Sequence, residues 1–475
     1  MWLLTRTTDK QPLYKQIITL IEQAIESGQL QTGEKLPSER QLSQLLDVNR
    51  STVIRALDEL TDRGVLIRKT GSGTFVNNEK WGLQSVPLIS WQATPNVLAK
   101  QKLDAYSLQA NQLRRLAYTE HKPLLDLANG DLPADLLPTL SLPQFSWQEL
   151  LHQEQGGEAS HLGLSSFRQT VQQHLIERFN LSVDKEQILI TSGAQQAILL
   201  ITQGLLKPGD AIGIEAPSYF YSLSLFQMAG LRIYAIETDQ EGVKLERLEQ
   251  RVNRHAIKMI FLNPVFQNPT GFVMSQQRKK QLLAYCYKKH IPIVEDDAYS
   301  ALSFAPHLDV SPIKKLDKQQ QVIYIGSLSK YLGKNIRAGW MIAPKALVNK
   351  LADIRQQLDA GLSVLPQLLA EHYLQTHATT HQQHLRTTLA DRAKQLTDWL
   401  AANYNDRLHF NLPLGGYHLY THCLSNDKEE LHKILDELLQ QNIIVARGTD
   451  FGDTPYHLRL SFGHFNQNLL IHAKK

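Results

Sequence analysis

In the stretch VIYIGSLSKYLGKNIRAGW, from Val322 to Trp340, a β-branched and aromatic run ends at Gly326 in a polar turn that holds Ser327, Ser329 and Lys330. Arg337 follows, just before another apolar run. A hydroxyl, an amine and a guanidinium at this spacing can converge on one small anion that carries a reactive carbonyl. Alone the stretch says little, because a lysine after a strand is usually a solvated loop residue.

The upstream stretches repeat the arrangement. Ile188 to Thr191 reads as a strand, and Ser192-Gly193-Ala194-Gln195 then opens a helix whose free N–H groups and positive end suit a phosphate. Ala211 to Glu215 is a strand followed by Pro217-Ser218-Tyr219, which sets an aromatic where it can lie flat on a planar ring. Ile257 to Leu262 leads into NPVFQNPTG, a rigid turn with the amide of Asn268 on it. Ile291 to Val294 ends in Glu295-Asp296-Asp297-Ala298-Tyr299. A buried acid there holds a ring nitrogen protonated, and Tyr299 can hydrogen-bond a phenolate oxygen. Each piece also has a plain reading: a helix-opening Ser-Gly, a packed tyrosine, a loop amide, acids in solvent. Together they divide the tasks that pyridoxal 5'-phosphate (PLP) requires, namely an amine for its carbonyl, an acid for its ring nitrogen, an aromatic over the ring and donors for its phosphate.

Such residues need a scaffold that brings strand ends together. From Leu124 onward short apolar runs alternate with amphipathic helical patterns, which predicts an α/β fold with a mostly parallel central sheet over residues 124–475. The order SGAQ, PSYF, QNPTG, EDDAY, SLSK, R-x-G and HLRLSFG resembles the fold-type I aminotransferases of the aspartate aminotransferase kind. The resemblance implies that Lys330 is the catalytic Schiff-base lysine and Asp296 the partner of the pyridine nitrogen. It implies that Asn268 and Tyr299 serve the ring oxygen, that Tyr219 stacks on the ring, and that Ser192, Gly193, Ala194, Gln195, Ser327 and Arg337 hold the phosphate. Arg459 would grip a substrate carboxylate in a bidentate fork and Gly130 would line the substrate side. The sequence departs from the family pattern in two places. The tyrosine expected just before GLSSFR is missing, with Glu158 and His161 nearby, and Arg447 replaces a common proline in VARG. His372, His377, His381 and His384 share a predicted helix, but without cysteines among polar neighbours they read as a solvated face and no metal site is assigned.

Met1 to Val76 has a different pattern. Leu13, Ile17, Leu20, Ile21 and Ala24 mark a first helix. After Pro37, Ser38 and Gln41 form a capping box for a second, and Asn49 caps a third that is buried through Val53, Ala56, Leu57 and Leu60. VLIRK and TFV then flank Gly71-Ser72-Gly73 as a hairpin. Three helices and a hairpin predict a winged helix-turn-helix, with the start of the third helix entering a major groove and the wing meeting phosphates. LYKQI, GEKLPSERQLSQLLDVNRSTVIRAL and GVLIRKTGSGTFV resemble the GntR-type DNA-binding domain. Arg40, Asn49, Arg50, Ser51, Thr52, Arg55, Arg68, Lys69, Gly71 and Gly73 are the expected DNA contacts. Ile54 stands where many relatives carry a second arginine, so base readout would lean on Arg50 and Arg55.

The composition fits such a chain without announcing it. Net charge is +4, and ten Lys and Arg stand against nine Asp and Glu in the first 76 residues, so DNA binding rests on placement rather than bulk charge. The two cysteines, Cys286 and Cys423, have no metal-type spacing, and no apolar run suggests a membrane span or signal peptide, so a cytoplasmic protein is expected. Residues 77–123 read as a linker, with a helix between Asn96 and Tyr118. A GntR-type winged helix linked to an aminotransferase-like PLP domain resembles the MocR-type transcription regulators. That implies a head-to-tail homodimer that binds a double-stranded DNA operator and senses PLP, alone or condensed with an amine or amino acid. The alternative is a working aminotransferase, which Arg459 favours, since a sensor of the cofactor alone needs no carboxylate clamp.

Overall fold

The computed structural model describes residues 12–26, 29–31, 33–77, 104–140, 146, 148, 161–359 and 361–466. The chain divides into two compact units, Met1–Lys102 and Leu103–Lys475.

In the first unit α1 (Leu13–Glu26), α2 (Glu39–Leu46) and α3 (Arg50–Asp62) bury Ile17, Ile21, Leu42, Val53, Leu57 and Leu60 in one core. The Ser38 hydroxyl accepts the Gln41 N–H in a closed capping box, and the Asn49 side chain accepts the Ser51 N–H at 3.1 Å. Both caps lie where the sequence places them. Strands β1 (Leu66–Lys69) and β2 (Gly73–Val76) pair antiparallel with Lys69 opposite Gly73. Lys35 bridges to Phe75, which adds a basic residue to the wing.

The second unit is built on an eight-stranded sheet in the order β4 (Ile188–Thr191), β11 (Gly339–Ile342), β10 (Val322–Ser327), β9 (Ile293–Asp297), β8 (Met259–Leu262), β5 (Ala211–Ala216), β6 (Arg232–Asp239), β7 (Gly242–Val243). The stretch from β10 to β6 is parallel, while β11 runs antiparallel to both neighbours and β7 antiparallel to β6. Apolar clusters on both faces bury the apolar residues of the central strands, as a parallel sheet between helical layers requires. A smaller antiparallel sheet orders β12 (Leu408–His409), β13 (His418–Cys423), β16 (His457–Ser461) and β15 (Ala446–Arg447). Beside it β3 (Leu125–Asp126) pairs parallel with β14 (Ile443–Ile444).

The stretch expected to be linker is not uniform. Residues 105–120 form α4, capped by Asp104 and packed through Ala110 on Leu439 and Ile444, so this part is integral to the second unit. Its weak apolar periodicity hid that docking, because one face meets strands that follow more than three hundred residues later. Two further expectations change in detail. Strand β9 continues through the acids to Asp297, where the sequence suggested an end at Val294. The four histidines do not share one helix: His377 separates Val364–Thr376 from Ala378–Tyr404, and His381 is a packing residue whose ring meets the Tyr373 hydroxyl at 2.9 Å and the Leu136 carbonyl at 2.9 Å. Both cysteines are buried and free. Among the described residues no helix is long and apolar enough to cross a membrane.

Candidate functional site

Alternation along β9 sorts its three acids. Glu295 accepts the N–H groups of Ile313 and Lys314 at 2.7 and 2.9 Å, while Asp297 accepts the Tyr324 hydroxyl at 2.8 Å and the Ser300 hydroxyl at 2.7 Å. Asp296 alone faces the other way. Its Oδ2 accepts the Tyr219 hydroxyl, and its Oδ1 is buried without a partner. Burial pushes this carboxyl up to about 6, with the Tyr219 bond acting against the rise. A buried carboxylate oxygen left unpaired is costly unless a ligand donor meets it, and a protonated ring nitrogen is such a donor.

Lys330 follows the next strand over, and its amine donates to the Gly130 carbonyl at 2.6 Å. Burial pulls the amine down to about 8, against the opposing pull of Asp131. A lysine so placed is neutral more often than a solvated one, which suits attack on a carbonyl. The Tyr417 hydroxyl bonds the Lys330 carbonyl at 2.9 Å and fixes its backbone.

The phosphate candidates converge because of strand register. Gly339 on β11 pairs with Thr191, the last residue of β4, so Arg337 lies beside the turn that begins at Ser192. A Cβ placed on Gly193, whose φ is +85°, would be 3.6 Å from the Arg337 guanidinium carbon. Ala194 and Gln195 begin the twelve-residue helix Ala194–Leu205, and Ser327 is buried at the end of β10 with its hydroxyl 3.2 Å from that of Ser329. The Ser192 N–H is taken by Gln196 at 2.7 Å, which leaves the following turn and the guanidinium as the anion-facing groups.

On the other side Arg459 is buried, with one nitrogen on the side-chain Oδ1 of Asn268 at 3.2 Å, another on the Ala128 backbone carbonyl, and Nε without a partner. Burial pulls its guanidinium down to about 10. The Tyr299 hydroxyl meets His418 Nε2 at 3.2 Å, and burial together with the Arg459 charge holds His418 neutral, well below its ordinary value. A cavity of about 520 Å³ opens over Lys330, Gly130 and Arg459, and α4 supplies one wall through Tyr106, Asn111 and Arg114. His418, Tyr106, Arg114 and Asp131 escaped the sequence reading, since a lone histidine in a strand and charges on a helix carry no pattern. Tyr219 meets the acid through its hydroxyl, a bond that a purely stacking role does not include. Glu158 lies outside the described residues, and His161 pairs with Asp353 at 3.0 Å.

In the first unit the expected DNA contacts other than Thr52 are exposed. Arg50 pairs with Glu39 at 3.0 Å, and Arg68 pairs with Asp58 at 2.7 Å. The Arg55 guanidinium lies 4.0 Å from the centre of the Tyr14 ring, and the Lys69 amine 5.1 Å from that of Phe75. Arg40, Asn49 and Ser51 are exposed and Thr52 half-buried. Gly71 has φ +76° with open space where a Cβ would stand, as a wing tip that approaches another backbone requires.

Residues 13–76 match the family model of bacterial regulatory proteins, gntR family, and residues 122–474 that of aminotransferase class I and II. The chain is 31% identical to the uncharacterized HTH-type transcriptional regulator YdfD of Bacillus subtilis over 96% of its own length and 93% of that protein. It is 28% identical to the HTH-type transcriptional regulator NorG of Staphylococcus aureus over 92% of its length and 97% of that protein. A kynurenine aminotransferase of Pyrococcus horikoshii, solved with PMP, superposes with a TM-score of 0.67 at 24% identity, over 80% of this chain and 95% of that one.

Proposed function

Because the chain belongs to the HTH-type transcriptional regulators that join a GntR domain to an aminotransferase class I and II domain, the MocR type, we propose that its second unit senses PLP, alone or condensed with an amine, and thereby sets operator binding by the first. The observation that carries this reading is the buried, unpartnered Oδ1 of Asp296 across from the buried amine of Lys330. The residues present fit the cofactor. Asp296 would hold its ring N–H, Tyr299 and Asn268 its ring oxygen, and the turn from Ser192 to Gln195 with Ser327 and Arg337 its phosphate. When bound, the group would supply a carbonyl for amines and a ring that accepts electrons.

This chain's residues then have separate duties. Lys330 keeps an amine that is neutral enough to react, the neutral His418 spares the site a second buried charge, and Arg459 orients a carboxylate. Asp104, Tyr106 and Arg114 hold α4 over the cavity as a wall against water. In the first unit Arg50, Arg55 and their neighbours read the groove while Arg40, Arg68, Lys69 and the wing glycines approach phosphates. A head-to-tail homodimer would present two such helices to paired half-sites. Regulation requires that the bound effector favour one arrangement of the winged helices over another.

A second reading, a working aminotransferase acting on an amino acid, is favoured by Arg459, whose buried Nε awaits an acceptor. The test is binding of the purified chain to the DNA upstream of its own gene, with and without PLP, at one salt concentration. An affinity that changes with PLP supports the regulator. Absence of specific binding in both states, with amino-group transfer measurable, supports the enzyme.

A further inference from the structure

Two of the buried donors without a partner, Arg459 Nε and Arg447 Nε, belong to guanidiniums that line the same cavity. Arg447 ends β15, where Ala446 pairs with Arg459 of β16. The acids on the cavity wall are already engaged: Asp131 with Lys334 at 2.9 Å and Asp450 with Arg447 at 3.2 Å. Spare hydrogen-bonding capacity therefore lies on the cations, and a ligand with two carboxylates suits it better than one with a second ammonium.

We infer that the ligand is an acidic amino acid, its α-carboxylate on Arg459 and its side-chain carboxylate on Arg447 in place of Asp104. This rests on the reading of the cavity as the amino-acid site of a PLP-binding unit. Asp450 is not the exchangeable partner, because it also accepts the Arg447 backbone N–H at 3.0 Å and caps the turn Gly448–Phe451. Asp104 is half exposed and is the N-cap of α4: one oxygen accepts the Ser107 N–H at 2.9 Å and the other is held by Arg447. A ligand carboxylate that takes the guanidinium frees Asp104 at the point where the chain arriving from the winged helix enters the second unit. Tyr106, whose hydroxyl donates to the Val445 carbonyl at 2.6 Å and accepts its N–H at 3.0 Å, would keep the rest of α4 docked. The effect is thereby confined to the cap of α4, at Asp104 and the Ser107 N–H that it accepts.

The experiment is calorimetric titration of the full chain, loaded with PLP, by L-glutamate against L-glutamine and L-aspartate against L-asparagine, with hydrogen exchange of residues 105–120 followed in parallel. At least one acid is expected to bind tenfold or more tightly than its amide, and to speed exchange in the first turn of α4 where the amide does not. Arg447→Gln should bring acid and amide together. Asp104→Asn, which removes the competing charge, should tighten the acid severalfold and leave the amide where it was, and this opposite sign separates a competitor from a structural prop. Equal binding within both pairs, or an Asp104→Asn chain that loses acid and amide alike, overturns the proposal while a cofactor spectrum keeps the PLP reading. A chain that takes up no PLP overturns both.

Discussion

The two units handle their charged residues in opposite ways. In the winged helix Arg50 and Arg68 stand in solvent and pair with Glu39 and Asp58 of neighbouring helices, and Arg63 pairs with Glu59 one turn back on its own helix. Such pairs contribute about 0 to 1 kcal/mol each and exchange readily for phosphates. In the second unit Asp296 and Arg459 are buried and Lys330 half-buried, each with its titration displaced by burial, and Asp296 and Arg459 each keep an atom unpaired. A polyanionic partner as large as DNA can come to an exposed surface and displace its ion pairs. A small ligand needs preorganised groups kept from water, and the unpaired atoms are where the proposed ligand would make its bonds.

The largest expected effect falls on the buried side of that contrast. Lys330→Ala should abolish cofactor uptake, read as loss of the visible absorbance, and remove any PLP effect on DNA binding while leaving the winged helix folded. A variant that answers to PLP as the parent does would sink the proposed mechanism. On the exposed side, Arg50→Ala should weaken operator binding by about 1 to 3 kcal/mol with little change in thermal stability. Unchanged specific affinity would remove Arg50 from base readout.

Burial also sets how the cavity answers to pH. Asp296 is charged above about 6 and neutral below it, so cofactor affinity should fall, by at most about tenfold per pH unit, as pH drops through about 6. Lys330 has the opposite requirement, since its reactive form is the neutral one. Uptake should speed as pH rises and level off near 8 rather than near the ordinary lysine value of 10.5. Stopped-flow absorbance between pH 5 and 11 reads both. A plateau only near the ordinary lysine value would mean that water reaches the amine.

What could be read from the sequence follows the same division. Ser192, Ser327 and Lys330 were legible as candidates because the buried strands before them are apolar runs with sharp polar ends. The caps at Ser38 and Asn49 were legible because capping acts within three residues. Tyr106 and Asp104 were not, since their partners Val445 and Arg447 lie more than three hundred residues along the chain and α4 has no apolar stripe strong enough to announce docking. Arg447 stood out only as a departure from a family pattern, and its geometry supplied the reason to care. Alternation along β9, which turns Asp296 away from Glu295 and Asp297, became visible only once the strand was known to run through the acids.

The smallest expected effect tests whether the exposed surface has any preorganisation at all. The Arg55 guanidinium over the Tyr14 ring joins α3 to α1, an arrangement worth about 0.5 to 1 kcal/mol at an exposed site. If the ring holds Arg55 ready for the groove, Tyr14→Leu should weaken operator binding slightly and Arg55→Ala more. The double variant should then equal Arg55→Ala alone, giving a coupling of about 0.5 to 1 kcal/mol in a double-mutant cycle. Additive losses would show that Arg55 reaches DNA unaided by Tyr14. Loss of stability without loss of binding would make the pair a strut between helices and leave Arg50 as the principal reader.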